Sequence, residues 1–328
     1  MESTWNKHMA SEIPRLIVDI FFQVELSGPS SKEIPPASFA IKKTLVEVLL
    51  PSLAMVDIPG FLSAIERQIW STSSDSSVHL VSLLTLIRIM RGSPRNLAQY
   101  LDKVVNFILH TIDPSNSVMR KTCYQSSMTT LKEVVRVYPM VAVNDSWTRL
   151  AVGDVIGEIN SSSIRVYDMQ SVTMIKVLDA SGPPGLPSLL TSASGTMLTT
   201  AISALSFSPD GEGLVAFSEH GLMIRWWSVG SVWWEKLSRN FIPVQCTKLI
   251  FVPPWEGFSP NSSRSSIMAN ILENDRKLSV QDNARDSNHG DSMKQLLHNL
   301  DLTYRLEWVG DRKILLTRHG QELGTFQL

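Results

Sequence analysis

The chain has 328 residues, enough for two domains of ordinary size, and its 43% apolar content can fill real cores. A formal net charge of −1 with 19% charged residues excludes the broad basic field that draws nucleic acid or an anionic membrane surface. Two cysteines, Cys123 and Cys246, make neither a disulfide framework nor a zinc site, and they suit a reducing, cytoplasmic setting.

Residues 1–10 are polar and hold no apolar signal core. No apolar run approaches the roughly 20 residues that a spanning helix needs, and the stretch 45–55 carries Pro51. Any membrane contact is therefore expected to be peripheral. Residues 1–140 read as helices. The first is expected over 11–26, with Ile13, Leu16, Ile17, Ile20, Phe21 and Val24 at three-and-four spacing, stopped by Ser27-Gly28-Pro29. The second opens near Pro36, and Pro51 and Pro59 are expected to break or kink the chain beyond it. A third covers 61–70 and leads to a Ser-rich turn at 71–77. A fourth covers 78–90, with Leu80, Leu83, Leu84, Ile87 and Met90 on one face. Pro94 opens a fifth helix running through Leu109, and Asp113-Pro-Ser-Asn116 separates it from a sixth that carries Met119, Cys123, Leu131 and Val134. Arg88, Arg91 and Arg95 form a short basic cluster, read as a solvated helix end and turn.

The period changes after Pro139. Short runs rich in β-branched and aromatic residues occur at 148–152, 163–167, 173–178, 202–207, 214–218, 223–227, 232–237 and 248–252. A loop rich in Gly, Pro, Ser and Thr spans 180–200. Residues 253–300 form a polar, low-complexity insert expected to be disordered, with a short helix near 293–300. Runs at 304–309, 313–318 and 324–328 complete the β region, joined by turns at Gly310-Asp311 and His319-Gly320. The expected division is thus a helical domain at 1–140, a strand-rich domain at 141–252, the insert at 253–300 and the last strands at 301–328.

The helices are similar in length and joined by short turns, which suggests an α-solenoid. The turn Asp113-Pro-Ser-Asn116 with Val118 and Arg120 resembles that of a HEAT or armadillo repeat, a family in which the Asp and Arg brace adjacent repeats. The segment Ile202-Ser-Ala-Leu-Ser-Phe207-Ser-Pro209-Asp210-Gly211 resembles the first strand and turn of a WD repeat. A second strand, the turn Glu219-His220-Gly221 and a third strand, Met223-Ile-Arg-Trp226-Trp227, come next in order. The preceding repeat offers Ile164-Arg-Val-Tyr167-Asp168 as its third strand. No Gly-His dipeptide opens either repeat, His220 stands where the turn Asp is usual, and Ser228 replaces the namesake Asp. The family's hydrogen-bonded tetrad is therefore incomplete, and apolar packing is expected in its place. The fold class implied is α+β and multidomain: a HEAT/armadillo-like solenoid, then a partial, divergent WD-repeat β-propeller of about two blades plus extra strands. Two blades cannot close a ring, which takes about four or more.

Helical repeats followed by divergent WD repeats with Ser206-Phe-Ser-Pro-Asp-Gly211, Ala151-Val-Gly153 and Val134-Val-Arg-Val-Tyr-Pro139 resemble the C-terminal region of the rabconnectin beta subunit family, in a plant-like form suited by the Ser-rich insert. The resemblance implies a scaffold on endomembranes that, with a rabconnectin alpha-type subunit, regulates the vacuolar proton pump and its subunits. The alternative weighed is a substrate receptor of a ubiquitin ligase. Such receptors carry Trp-Asp-x-Arg after the third strand, whereas Tyr167-Asp-Met-Gln170 and Trp227-Ser-Val-Gly230 both lack the Arg.

Catalysis is not expected, and no cofactor or metal is called for. The seven histidines include no helical pair four apart, and there is no nucleophile elbow, no phosphate-binding Gly loop and no Cys-x-x-Cys. Asp154 and Glu158 form a candidate carboxylate pair, read as a solvated loop. Trp226, Trp227, Trp233 and Trp234 are expected on the third and fourth strands of one repeat, with one of each pair in the core, and Trp233 and Trp234 on a candidate partner surface.

Overall fold

The computed structural model describes residues 2–26, 36–71, 77–155, 163–180, 201–219, 221–230, 243–255 and 299–328. The expected strand at 232–237, the loop at 181–200, most of the insert with its short helix, His220, Glu158, Trp233 and Trp234 lie outside the described residues. The chain divides into two compact units, Met1–Val137 and Tyr138–Leu328. The first is helical and the second is built from antiparallel sheets, so the protein is of mixed α+β class.

Helix α1 (Glu2–Leu26) begins well ahead of residue 11, a start the sequence hides because residues 2–10 carry too few apolar positions to show a period. It buries Ile13, Ile17, Ile20, Phe21 and Val24, and the Phe21 ring meets Phe61 at 6.3 Å. Helices α2 (Pro36–Thr44) and α3 (Leu50–Val56) are joined without a break by a π-helical turn, Leu45–Leu49. The expected interruption at Pro51 is thus corrected, and its physics is local. Pro51 has no N–H to offer the Glu47 carbonyl one turn back. The backbone closes a wider ring, Leu50 N–H to the Leu45 carbonyl, and the Arg88 guanidinium donates to the Glu47 carbonyl.

The bend falls instead at Asp57, where the axis turns by 115° into α4 (Ile58–Ser71). Asp57 Oδ1 accepts the Gly60 N–H at 3.0 Å as a cap. Pro59 sits in the first turn of α4, where its missing N–H costs little.

Helix α5 (Ser77–Gly92) lies among α1, α3, α4, α6 (Pro94–Ala98), α7 (Leu101–Thr111) and α8 (Ser117–Val137). Its buried face is wide, with Val78, Leu83, Leu86, Ile89 and Met90, while Leu84 faces out, contrary to expectation. One central helix touching nearly all others differs from a solenoid, in which each repeat meets only its neighbours. The described helices do not show a solenoid.

The expected fifth helix is two, because Tyr100 leaves the helical region (φ −113°, ψ 19°) between α6 and α7. Asn116 Oδ1 caps α8 through the Met119 N–H at 3.1 Å. Asp113 accepts from the Ser115 N–H inside its own turn, and Arg120 lies over the Tyr124 ring on its own helix. Arg91 and Arg136 both donate to the largely buried Glu133 carboxylate, at 2.9 and 2.7 Å.

Among the described residues the second unit holds three antiparallel meanders. The first sheet is β1 (Val141–Val143), β2 (Arg149–Gly153), β3 (Ser163–Asp168) and β4 (Thr173–Asp179). The second is β5 (Ala204–Phe207), β6 (Gly213–Ser218), β7 (Met223–Ser228) and β8 (Lys248–Phe251). The third is β9 (Tyr304–Gly310), β10 (Lys313–Arg318) and β11 (Gln321–Gln327). The fourth place in the second sheet is taken by β8, where a run at 248–252 is expected, paired to β7 from Met223↔Phe251 to Trp226↔Lys248; the run expected at 232–237 lies outside the described residues.

Leading strands gather, with β1 beside β5 and β5 beside β9. Consecutive meanders with their first strands together are the arrangement of propeller blades. Every residue of β6 is buried, because both faces of the second sheet are used. One face sets Ala204, Val215, Phe217 and Ile224 against Tyr304, Leu306, Ile314 and Leu316 of the third sheet. On the other side Val244 acts as a clasp. Its carbonyl accepts from Trp227 Nε1 at 3.1 Å and from the Asp179 N–H of β4 at 2.9 Å.

Candidate functional site

The Ser-Pro-Asp-Gly turn between β5 and β6 is braced from within. Ser208 Oγ donates to the Asp210 carboxylate and accepts the Gly213 N–H at 2.7 Å. Asp210 Oδ1 accepts the Glu212 N–H at 2.9 Å. The Ser208 hydroxyl, then the Glu212 amide, hold the Asp210 carboxyl below its usual range. Gly211 takes φ +72°, the left-handed conformation that favours glycine. Phe207 and Gly211 are buried, while Pro209 and Asp210 face out. Arg149 of β2 crosses to this turn, donating to the Gly211 carbonyl at 2.7 Å with Glu212 Oε1 at 3.6 Å. The turn therefore joins two sheets.

The third strands repeat one pattern. Tyr167 stands opposite Leu150 and Trp227 opposite Leu214, so Ile164-Arg-Val-Tyr and Ile224-Arg-Trp-Trp occupy the same register. Tyr167 and Trp227 are both buried. Trp226 turns to the other face and meets Trp308 edge-on at 5.7 Å. A methyl group on Gly213 would come within 1.8 Å of the Trp226 ring, so only glycine lets the indole lie across β6. Asp168 accepts from the N–H and hydroxyl of Ser171 in the next turn, whereas Ser228 is exposed. Gly221 lies in the turn before β7, beside Leu222 at φ +46°.

The arginines of the two strands sit at equivalent positions with unequal partners. Arg165 pairs with Asp154 at 3.0 Å, and Asp154 also accepts the Ser163 N–H at 2.9 Å. Arg225 is wholly buried and meets the Ser218 hydroxyl at 3.2 Å, with the Met223 sulfur at 3.9 Å. Its Nε finds no acceptor among the described residues. Burial pulls the Arg225 guanidinium below its ordinary pKa, opposed by the Cys246 and Asp179 charges. Burial likewise pushes the Cys246 thiol up. The sequence pattern of the two Ile-Arg strands singles out their aromatic residues and leaves the arginines aside. The recurrence of Arg one place after Ile is the signal that could have found them.

A third cluster joins the second and third sheets. The buried Tyr304 hydroxyl donates to Glu219 Oε1 at 2.8 Å, and Arg318 lies over its ring at 5.4 Å. Burial first, and the Glu219 carboxylate second, hold the phenol protonated well above its usual pKa. Arg318 Nε pairs with Asp301 Oδ2 at 2.7 Å. Although burial opposes it, Thr303 and Arg318 hold the Asp301 carboxyl below its usual range. Asp154, Glu133 and Asp301 each answer an arginine, which fits bracing between elements better than proton transfer. Among the described residues no group of three His, Cys, Asp or Glu could hold a metal ion.

No family model matches the sequence. Among solved structures the chain is distantly similar to Kluyveromyces lactis Hsv2, at 12% identity and a TM-score of 0.30, over 55% of this chain and 38% of that one. A form of that protein with loop 6CD replaced by a Gly-Ser linker is similar at 10% identity and a TM-score of 0.28, over 54% and 34% of the two chains. The chain thus spans little more than a third of the length of these structures.

Proposed function

We propose that the protein is a non-catalytic scaffold that holds other proteins together. The observation that carries this reading is the stack of three meanders with leading strands gathered and apolar side chains filling the space between sheets. Such a stack presents strand ends and connecting turns as a broad, rigid contact surface. The ionisable groups at its sheet ends are engaged in internal pairs, a pattern that favours rigidity over chemistry.

The finer reading rests on the resemblance of residues 113–116, 134–139, 151–153, 164–168 and 206–211 to the rabconnectin beta subunit family. In that reading the chain acts in the cytoplasm, peripheral to endomembranes, with a rabconnectin alpha-type subunit, and regulates assembly or activity of the vacuolar proton pump. Proximity labelling from the full chain in cells tests both levels. Enrichment of pump subunits and the alpha-type protein supports the finer reading. A reproducible set of other proteins leaves the scaffold and removes the pump. No reproducible neighbour at all overturns the scaffold itself.

A further inference from the structure

The continuous helix from Ala40 to Val56 carries a stripe of apolar side chains that no described residue covers: Ile41 is 62% exposed, Val48 59% and Val56 74%. Leu49 and Met55 flank it and are also exposed. The two polar side chains within the stripe are already satisfied. Thr44 Oγ1 donates to the Ala40 carbonyl at 3.0 Å, and Ser52 Oγ donates to the Val48 carbonyl at 2.7 Å. A surface whose hydroxyls are turned back onto their own helix can be covered without stranding a donor.

The spacing of the stripe selects its occupant. Reversed about a point between Val48 and Leu49, most of the stripe maps onto itself: Ile41 falls opposite Val56, Leu45 opposite Ser52 and Val48 opposite Leu49, while Thr44 meets Leu53 and Met55 meets the stem of Lys42. A two-fold interface requires that kind of self-complementary patch. The ends agree in charge, because an antiparallel partner brings Lys42 and Lys43 of one copy toward the Asp57 end of the other.

We propose that this stripe is the contact between two copies of the chain, packed as antiparallel helices about a dyad at Val48 and Leu49. The inference rests on the helical unit alone and is independent of the scaffold reading. A helix of this length gives a seam about 25 Å long. A single helix seam of that length covers less than the roughly 800 Å² per partner of a standard stable interface, so the dimer dissociates on dilution.

Light scattering on the full chain across a concentration series reads the result directly. The mass is expected to rise from the 36.6 kDa monomer toward twice that value. Val48→Glu and Val48→Lys each place like charges across the dyad, and each is expected to weaken self-association by more than about 100-fold. An equimolar mixture of the two variants is expected to associate again, which a misfolded variant could not do. The proposal is overturned by a wild-type chain that stays monomeric throughout, by a Val48→Glu variant that still pairs, or by a mixture that stays apart. A monomer that uses the stripe to bind a different protein overturns it equally.

Discussion

Val172, in the turn between β3 and β4, holds φ at +55°, a conformation that costs a β-branched residue about 1–2 kcal/mol. Asn accepts that conformation far more readily. Val172→Asn should therefore raise stability by about 1 kcal/mol, read as a higher midpoint in thermal unfolding. Glu133 is favoured in its charged form, because two arginines hold its carboxylate in a largely buried place. Arg136 first, and Arg91 after it, lower its pKa from 4.5 to about 2. The unfolded chain binds a proton here that the folded chain does not, so stability rises with pH across this window. The contribution is complete above about pH 4.5 and fades as the pH falls toward 2. Glu133→Gln should remove that part of the acid dependence, which urea titrations at pH 3 and pH 6 would measure. If the variant and the wild type lose stability equally between those two values, the pair does not have this role.

At the scale of elements, equivalent third strands invite a swap. The first sheet gives Arg165 the Asp154 carboxylate, while among the described residues the fully buried Arg225 meets the Ser218 hydroxyl and the Met223 sulfur. The Arg225 guanidinium has already lost its water, so a nearby carboxylate would gain attraction against one added desolvation. Ser218→Asp is expected to stabilise the second unit by about 1–2 kcal/mol, measured by chemical denaturation. A loss of stability would show that burying the added carboxylate costs more than its attraction to Arg225 returns. Strand periodicity makes most of these elements legible, and β10 falls at 313–318 as its alternation implies. Three-residue β1 is too short to leave a pattern. The fourth strand of the second sheet is legible as a run at 248–252, but its partner is not. Residues 232–237 have the composition of a strand, but pairing to β7 is decided by tertiary register, which puts 248–251 there. The split between α6 and α7 also leaves no trace, because Leu97 and Leu101 keep helical spacing across Tyr100.

On the scale of the whole molecule, each unit has a centre. In the sheet unit it is β6, buried at every residue between two sheets, and its amides can exchange only when both stacks open. Hydrogen exchange is expected to find the β6 amides slowest in this unit, and those of β11 faster, since β11 lies at the end of the order β11-β10-β9. Equal protection of the two strands would mean that the three sheets open as one. The bipartite plan is plain in the sequence because the hydrophobic period changes after Pro139. The internal order of the helical unit is not. A period reports that a helix has an apolar face, but it does not say which helix will be surrounded, and nothing in the pattern of α5 sets it above its neighbours.

Pro51 and Arg88 carry a consequence for inheritance. The proline deprives the Glu47 carbonyl of its helical donor and the arginine supplies another from a different helix. Neither residue has the same meaning alone. An arginine without the proline competes for a carbonyl already engaged, and a proline without the arginine leaves that exposed carbonyl to water alone. Substitutions at the two positions should accordingly be tolerated together and selected against singly, so that in related chains they drift as a pair.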